Sequence, residues 1–202
     1  MENEVRIGKD RTATEKRLLE TIGRMIAEKG FEKIGINAVS AQSGVSKILI
    51  YRYFGSVEGL MAAYIRQHDF WINFPLQIPR QEELADFLKQ MFRQQMEHLQ
   101  GNPILKRLSR WELSSKNAMI DELCRQREIT GLRLIEAVSR LTGRSRKEVA
   151  ALATIISASV TYLVMLEDFC PEYNGVPLNN RDGWEQIMNG IDLMIDRWLE
   201  NR

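Results

Sequence analysis

Cysteine and histidine are almost missing from this chain, with two of each in 202 residues. Cys124 and Cys170 lie far apart and make no CxxC or Cys/His spacing, which argues against a structural zinc site or a disulfide framework and leaves two reduced thiols. His68 and His98 stand near no Gly-x-Ser-x-Gly or other nucleophile motif, and no glycine-rich phosphate loop is present. The expectation is therefore no catalytic residue, no metal ligand and no cofactor, with both histidines ordinary surface or core residues. An excess of one charge is lacking too: 28 Lys and Arg face 27 Asp and Glu, so net charge alone does not announce nucleic acid. The opening MENEVRIGKDRTATEKR is polar throughout, with no apolar segment behind a basic start, so nothing addresses the chain for export and a cytoplasmic location is expected.

One long run lacks charge altogether. Val149 to Leu166 touches the lower length limit for crossing a bilayer, but it contains Thr154, Ser157, Ser159 and Thr161 and is closed by Glu148, Glu167 and Asp168. No membrane role is expected, and the run reads as a helix buried on most sides. Strand patterns of useful length, repeats and low-complexity segments are also missing. With 44% hydrophobic residues available for a core, the architecture is expected to be all-helical.

The helices can be placed by their punctuation. Thr12 and Glu15 make a capping box for a first helix carrying Leu18, Leu19, Ile22, Ile26 and Ala27 and ending at Gly30, behind a loosely held first dozen residues. Ser56 caps a fourth helix running to about Ile72, and Pro75 and Pro79 bracket a connector. Gln81 to Gln100 is a fifth helix with Glu82, Glu83 and Asp86 at its dipole-favoured start. Further helices are expected from Pro103 through Leu113, from Ala118 to Leu141, and from Ser145, whose capping box with Glu148 opens the uncharged run. A loop from Pro171 to Gly183 precedes a last amphipathic helix carrying Trp184 through Leu199.

Between the first and fourth helices lies INAVSAQSGVSKILIYRYF, Ile36 to Phe54. It reads as a short helix, a tight turn at Gly44 and a second short helix, with Asn37 and Ser46 as caps, Val39 and Ala41 facing inward and Val45 beneath the turn. On the second helix Lys47 and Tyr51 share a face, Ile48 and Arg52 sit beside them, and Ile50 and Phe54 point the other way. A cation, a phenol and a guanidinium on one face suit a duplex. Arg can fork onto guanine, Lys and tyrosine hydroxyls can meet phosphates, and Ile48 or Leu49 can touch thymine methyl groups. The same pattern also fits a solvated face on an ordinary small helix. Up to Ser56 the chain carries ten Lys or Arg against seven Asp or Glu, and the remainder eighteen against twenty, a mild asymmetry toward the same end.

GVSKILIYRYFGSVEGL, Gly44 to Leu60, together with the preceding AEKGFEKIGINAVSAQSG, resembles the signature of TetR-type (TetR/AcrR) transcriptional regulators over roughly residues 12 to 64. By position, the resemblance implies DNA contacts from Asn37, Lys47, Ile48, Leu49, Tyr51, Arg52 and Tyr53. Ile48 departs from the glycine or small residue usual there, and Val57 replaces a lysine that commonly meets a phosphate. The fold expected is all-α, with an N-terminal helix-turn-helix domain over residues 1–55 and a helical effector-binding and dimerisation domain over 56–202.

Readers of this type pair, because two recognition helices about 34 Å apart match a palindromic site. The two C-terminal helices are the candidates for the homodimer interface, unless they are buried within one chain. Trp71, Phe74, Phe92, Met96, Trp111, Tyr162, Met165 and Phe169 can line a pocket for a small apolar or aromatic effector, or simply form core. The resemblance favours a pocket, since such regulators commonly release DNA on binding a small molecule. The reading is thus a double-stranded-DNA-binding regulator, a ligand-released repressor. The alternative is a helical small-molecule-binding or enzymatic protein using residues 12–60 as scaffold.

Overall fold

In the computed structural model, which describes residues 2–114 and 116–200, the chain is almost wholly helical and falls into two compact units. The first unit runs to Asp69 and is joined by Pro103–Arg125. Its spine is α1, Glu2–Lys29, which buries Leu18, Ile22, Met25 and Ile26 completely. The helix passes straight through the expected start at Thr12, since residues 2–11 contain no proline and the one interior glycine, Gly8, costs only about 1 kcal/mol. After α2, Ile36–Ser43, and α3, Lys47–Phe54, the helix α4, Val57–His68, returns along α1 with Leu60 and Ile65 fully buried. Burial pushes the Tyr64 phenol pKa up, and the Tyr64 ring packs so close to Gly23 that a Cβ there would come within 2.7 Å.

The fourth helix was expected to reach about Ile72 but stops at His68. Asp69 turns extended, with its N–H on the Ile65 carbonyl at 2.8 Å, and Phe70, Trp71 and Phe74 then gather as an aromatic cluster instead of continuing the helix. The first unit is completed by α6, Pro103–Ser114. Arg107 donates to the carbonyls of Ile26 and Ala27, in the last turn of α1, at 3.2 and 2.6 Å. Trp111 stacks on Phe31 at 5.2 Å. By packing, then, α4 and α6 stand with the helix-turn-helix, across the expected division at residue 55.

The second unit comprises Phe70–Asn102 and Gln126–Arg202. A 3-10 turn at Gln81–Glu83 leads into α5, Leu84–Gln100, which packs on both α8, Arg146–Leu166, and α9, Arg181–Glu200. Buried Gln95, 3% exposed, ties α5 to α8 through its Nε2, donating to the Ser157 carbonyl and hydroxyl and to Thr161 at 2.9–3.2 Å. Lys89 with Asp196 and Arg93 with Asp192, each at 2.6 Å, tie α5 to α9. The helix α7 spans Ala118–Thr142.

The uncharged helix corrects an expectation. Only 22% of the apolar window of α8 is buried, and Ile155 and Tyr162 stand 62% and 51% exposed. Its inward stripe, Val149, Ile156, Val160 and Val164, recurs at helical spacing, whereas Ala151, Thr154, Ile155, Ala158, Ser159 and Tyr162 are left exposed. The expected loop after α8 also contains a small hairpin, β1 Glu172–Tyr173 with β2 Val176–Pro177, turned by Asn174 and Gly175.

Candidate nucleic-acid interface

The interface is built around α2 and α3. The cap of α2 is Gly35, in extended geometry, and not Asn37, which lies exposed as the second residue of the helix. Val39 is fully buried, but Ala41 is exposed: the helical neighbour of Val39 is Ser43, four residues on, whereas Ala41 falls on the opposite side. The helix closes at Gly44, φ 68°, a left-handed conformation that strains any residue with a Cβ.

Two serines lock the turn. The Ser40 hydroxyl donates to the Val45 carbonyl at 2.8 Å, the Ser43 hydroxyl accepts from the Val45 N–H at 3.1 Å, and the Val45 side chain is buried below. Sequence reasoning passed over both. Their signal was present: short hydroxyl side chains flanking a glycine compete well for backbone partners.

Ser46 caps α3, accepting from Leu49 N–H at 3.4 Å, and fully buried Ile50 anchors the helix to the unit below. Lys47, Ile48, Tyr51 and Arg52 are left together in solvent, with Ile48 78% and Tyr51 52% exposed. The helix carries two cations and no acid. Leu49 and Tyr53 are half-buried, and the Arg11 guanidinium sits 5.1 Å from the centre of the Tyr53 ring, held there by Glu15 at 2.7 Å. Phe54 is half-buried as well.

The join to α4 fixes how α3 leaves the unit. Ser56 caps α4, accepting from Gly59 N–H at 2.9 Å, and a Cβ on Gly59 would fall 2.0 Å from the Phe54 carbonyl oxygen. Val57, at the position where the resemblance expects a phosphate-binding lysine, is 7% exposed and belongs to the core.

The eight residues proposed for an effector pocket do not form one wall. Trp71 and Phe74 join Phe70 and Phe87 in the aromatic cluster of the second unit, where His98 also packs on Phe70. Phe92 is buried core, Met165 is half-buried, Trp111 belongs to the first unit, and Tyr162 and Phe169 are exposed. Met96 lines a cleft of about 610 Å³ in the second unit, with Leu178, Trp184 and Met188 and with Arg93, Glu97, Glu167 and Asp168. Among the described residues no group of three or more His, Cys, Asp or Glu is placed to hold a metal ion.

The arrangement of α1 through α4 therefore presents one short helix, cationic and apolar on its outer face, on a packed three-helix base. Residues 18–64 match the family model of the bacterial regulatory proteins, tetR family. That match spans the helix-turn-helix and the helices that brace it. Among solved structures, this chain resembles a mutant of the protein HlyIIR, at 15% identity over 89% of this chain and 97% of the other, with a TM-score of 0.57. It also resembles a Clostridium perfringens protein assigned as a fatty acid metabolism regulator, at 19% identity over 89% and 96% of the two chains, again with a TM-score of 0.57. At these identities the likeness is one of fold. No curated protein matches this chain.

Proposed function

We propose that this DNA-binding transcriptional regulator is a homodimeric, cytoplasmic repressor that reads a palindromic operator with α3 and leaves it when a small molecule binds the second unit. The observation that carries the reading is the outer face of α3, where Lys47, Ile48, Tyr51 and Arg52 project together from a helix locked at both ends. In this reading Arg52 forks onto a guanine, Lys47 and Tyr51 meet phosphate or base edges, Asn37 and Tyr53 contribute at the backbone, and Leu49 packs at the groove wall.

Dimerisation through α8 and α9 is supported by what those helices leave uncovered: Ile155 and Tyr162 with Ala151 and Ala158 on one, Leu193 and Met194 with Gly190 on the other. Small residues beside large ones suit close packing of four helices about a two-fold axis. For the effector, the cleft around Met96 and Trp184 has the size of a small-molecule site, and its charged rim favours an aromatic or apolar body that carries a polar group. Such a ligand acts only if it prefers the released state.

The test is selection of bound duplexes from a random DNA pool at near-physiological salt. An enriched palindrome supports the dimeric, sequence-specific reading and supplies the probe for effectors. No enrichment by folded protein turns attention to a helical small-molecule-binding or enzymatic protein. With the operator in hand, an effector that saturates the cleft and leaves operator affinity unchanged rules out release by ligand.

A further inference from the structure

Two aliphatic side chains on α3 stand at positions from which thymine can be touched, and the structure separates them. Leu49 is half-buried, whereas Ile48 is 78% exposed, the second residue of the helix and flanked on the same face by Lys47, Tyr51 and Arg52. In helix-turn-helix docking the first turn of the second helix lies nearest the base edges. An isoleucine there can make no hydrogen bond, and the one apolar group that a base pair presents in the major groove is the C5-methyl of thymine. The side chain is also pre-set for such a contact, because a β-branched residue in a helix keeps essentially one χ1 rotamer and loses little freedom on binding.

We propose that Ile48 is a specificity-determining residue that reads the C5-methyl group of a thymine in each half of the operator. The proposal rests on the DNA-reading assignment of α3 and sharpens it: an exposed apolar side chain in the first turn selects for one methyl group. It also gives the isoleucine a role at a position where the TetR-type pattern has a small residue. A larger side chain there fills groove space that a glycine leaves to water.

The experiment uses the full chain and a duplex from the selection above. Each thymine is replaced in turn by deoxyuridine, which deletes the methyl and leaves base pairing intact. Affinities are measured for the unaltered protein and for Ile48→Ala, a change at an exposed helical position to the strongest helix former; circular dichroism checks that the fold is kept. Loss of one buried methyl corresponds to about a fourfold weaker complex. The unaltered protein should show that loss at one thymine per half-site, and Ile48→Ala should bind the two duplexes alike. Equal binding of every deoxyuridine duplex by the unaltered protein would overturn the proposal while leaving DNA reading by α3 standing. The same penalty persisting in Ile48→Ala, or a selected site without thymine, would overturn it equally. A pool that yields no enriched duplex removes the DNA-reading assignment and this inference together.

Discussion

Both α3 and α8 leave large apolar side chains in solvent, but in different company. On α3 the exposed Ile48 stands among Lys47, Tyr51 and Arg52, so the surface that covers it must accept cations and offer a methyl or similar group beside them. On α8 the exposed Ile155 and Tyr162 stand among Ala151, Thr154, Ala158 and Ser159, in a run with no charge from Val149 to Leu166. A polyanion fits the first surface, and an uncharged, closely packed helix pair fits the second. Exposed apolar area identifies a partner only when its neighbours are read with it.

The sharpest way to break this comparison is to put a charge into the uncharged face. Ile155→Glu should separate the copies in sedimentation equilibrium. Because two linked reading heads bind far better than one, operator affinity should then fall by about 10²–10⁴. A dimer of unchanged affinity would take α8 out of the interface. The next largest effect is expected where α3 is joined to its base. Gly59→Ala drives a Cβ against the Phe54 carbonyl, backbone that cannot swing away, and should cost about 1–3 kcal/mol in thermal or denaturant unfolding. No loss of stability would mean that the two helices part freely there. Arg52→Ala tests the reading face itself. Discrimination against the wrong base at one position should fall by about 1–3 kcal/mol, and an unchanged sequence preference would reassign Arg52 to phosphate.

The contrast between these two helices also marks what could be read in the sequence. The turn at Gly44, the Ser46 cap and the exposed quartet on α3 follow from local rules, because each depends on residues within a few positions of one another. The Ser145 capping box and the full length of α8 were legible for the same reason. The exposure of α8 was not: an uncharged run such as Val149 to Leu166 has the same composition whether its cover comes from its own chain or from elsewhere. The supposed pocket failed to assemble similarly, since helical spacing shows which faces are apolar and not which helices meet. The pairing of Arg107 with the end of α1 spans 80 residues and leaves no periodic trace.

The smallest expected effects separate the two helices at their first residues. Each begins on a serine cap, but they differ in kind. Ser46 accepts from Leu49 N–H at a long 3.4 Å, whereas Ser145 shares a reciprocal box with Glu148, whose carboxylate takes the Ser145 N–H at 3.0 Å and its hydroxyl at 2.7 Å. Removing the first cap by Ser46→Ala should cost about 1 kcal/mol at any pH, since nothing in it titrates. The second is different, because the hydrogen bonds from Ser145 lower the Glu148 pKa from the ordinary carboxylate value. A carboxylate depressed in the folded chain contributes stability that is present above its unfolded pKa and lost as pH falls through its folded one. The destabilisation caused by Ser145→Ala should therefore be full at neutral pH and shrink on acidification below the usual carboxylate range. The destabilisation caused by Ser46→Ala should not change over the same window. Denaturant midpoints of the two variants and the unaltered protein, taken across that range, decide the matter. Parallel curves for both variants would mean that Glu148 does not hold the start of α8.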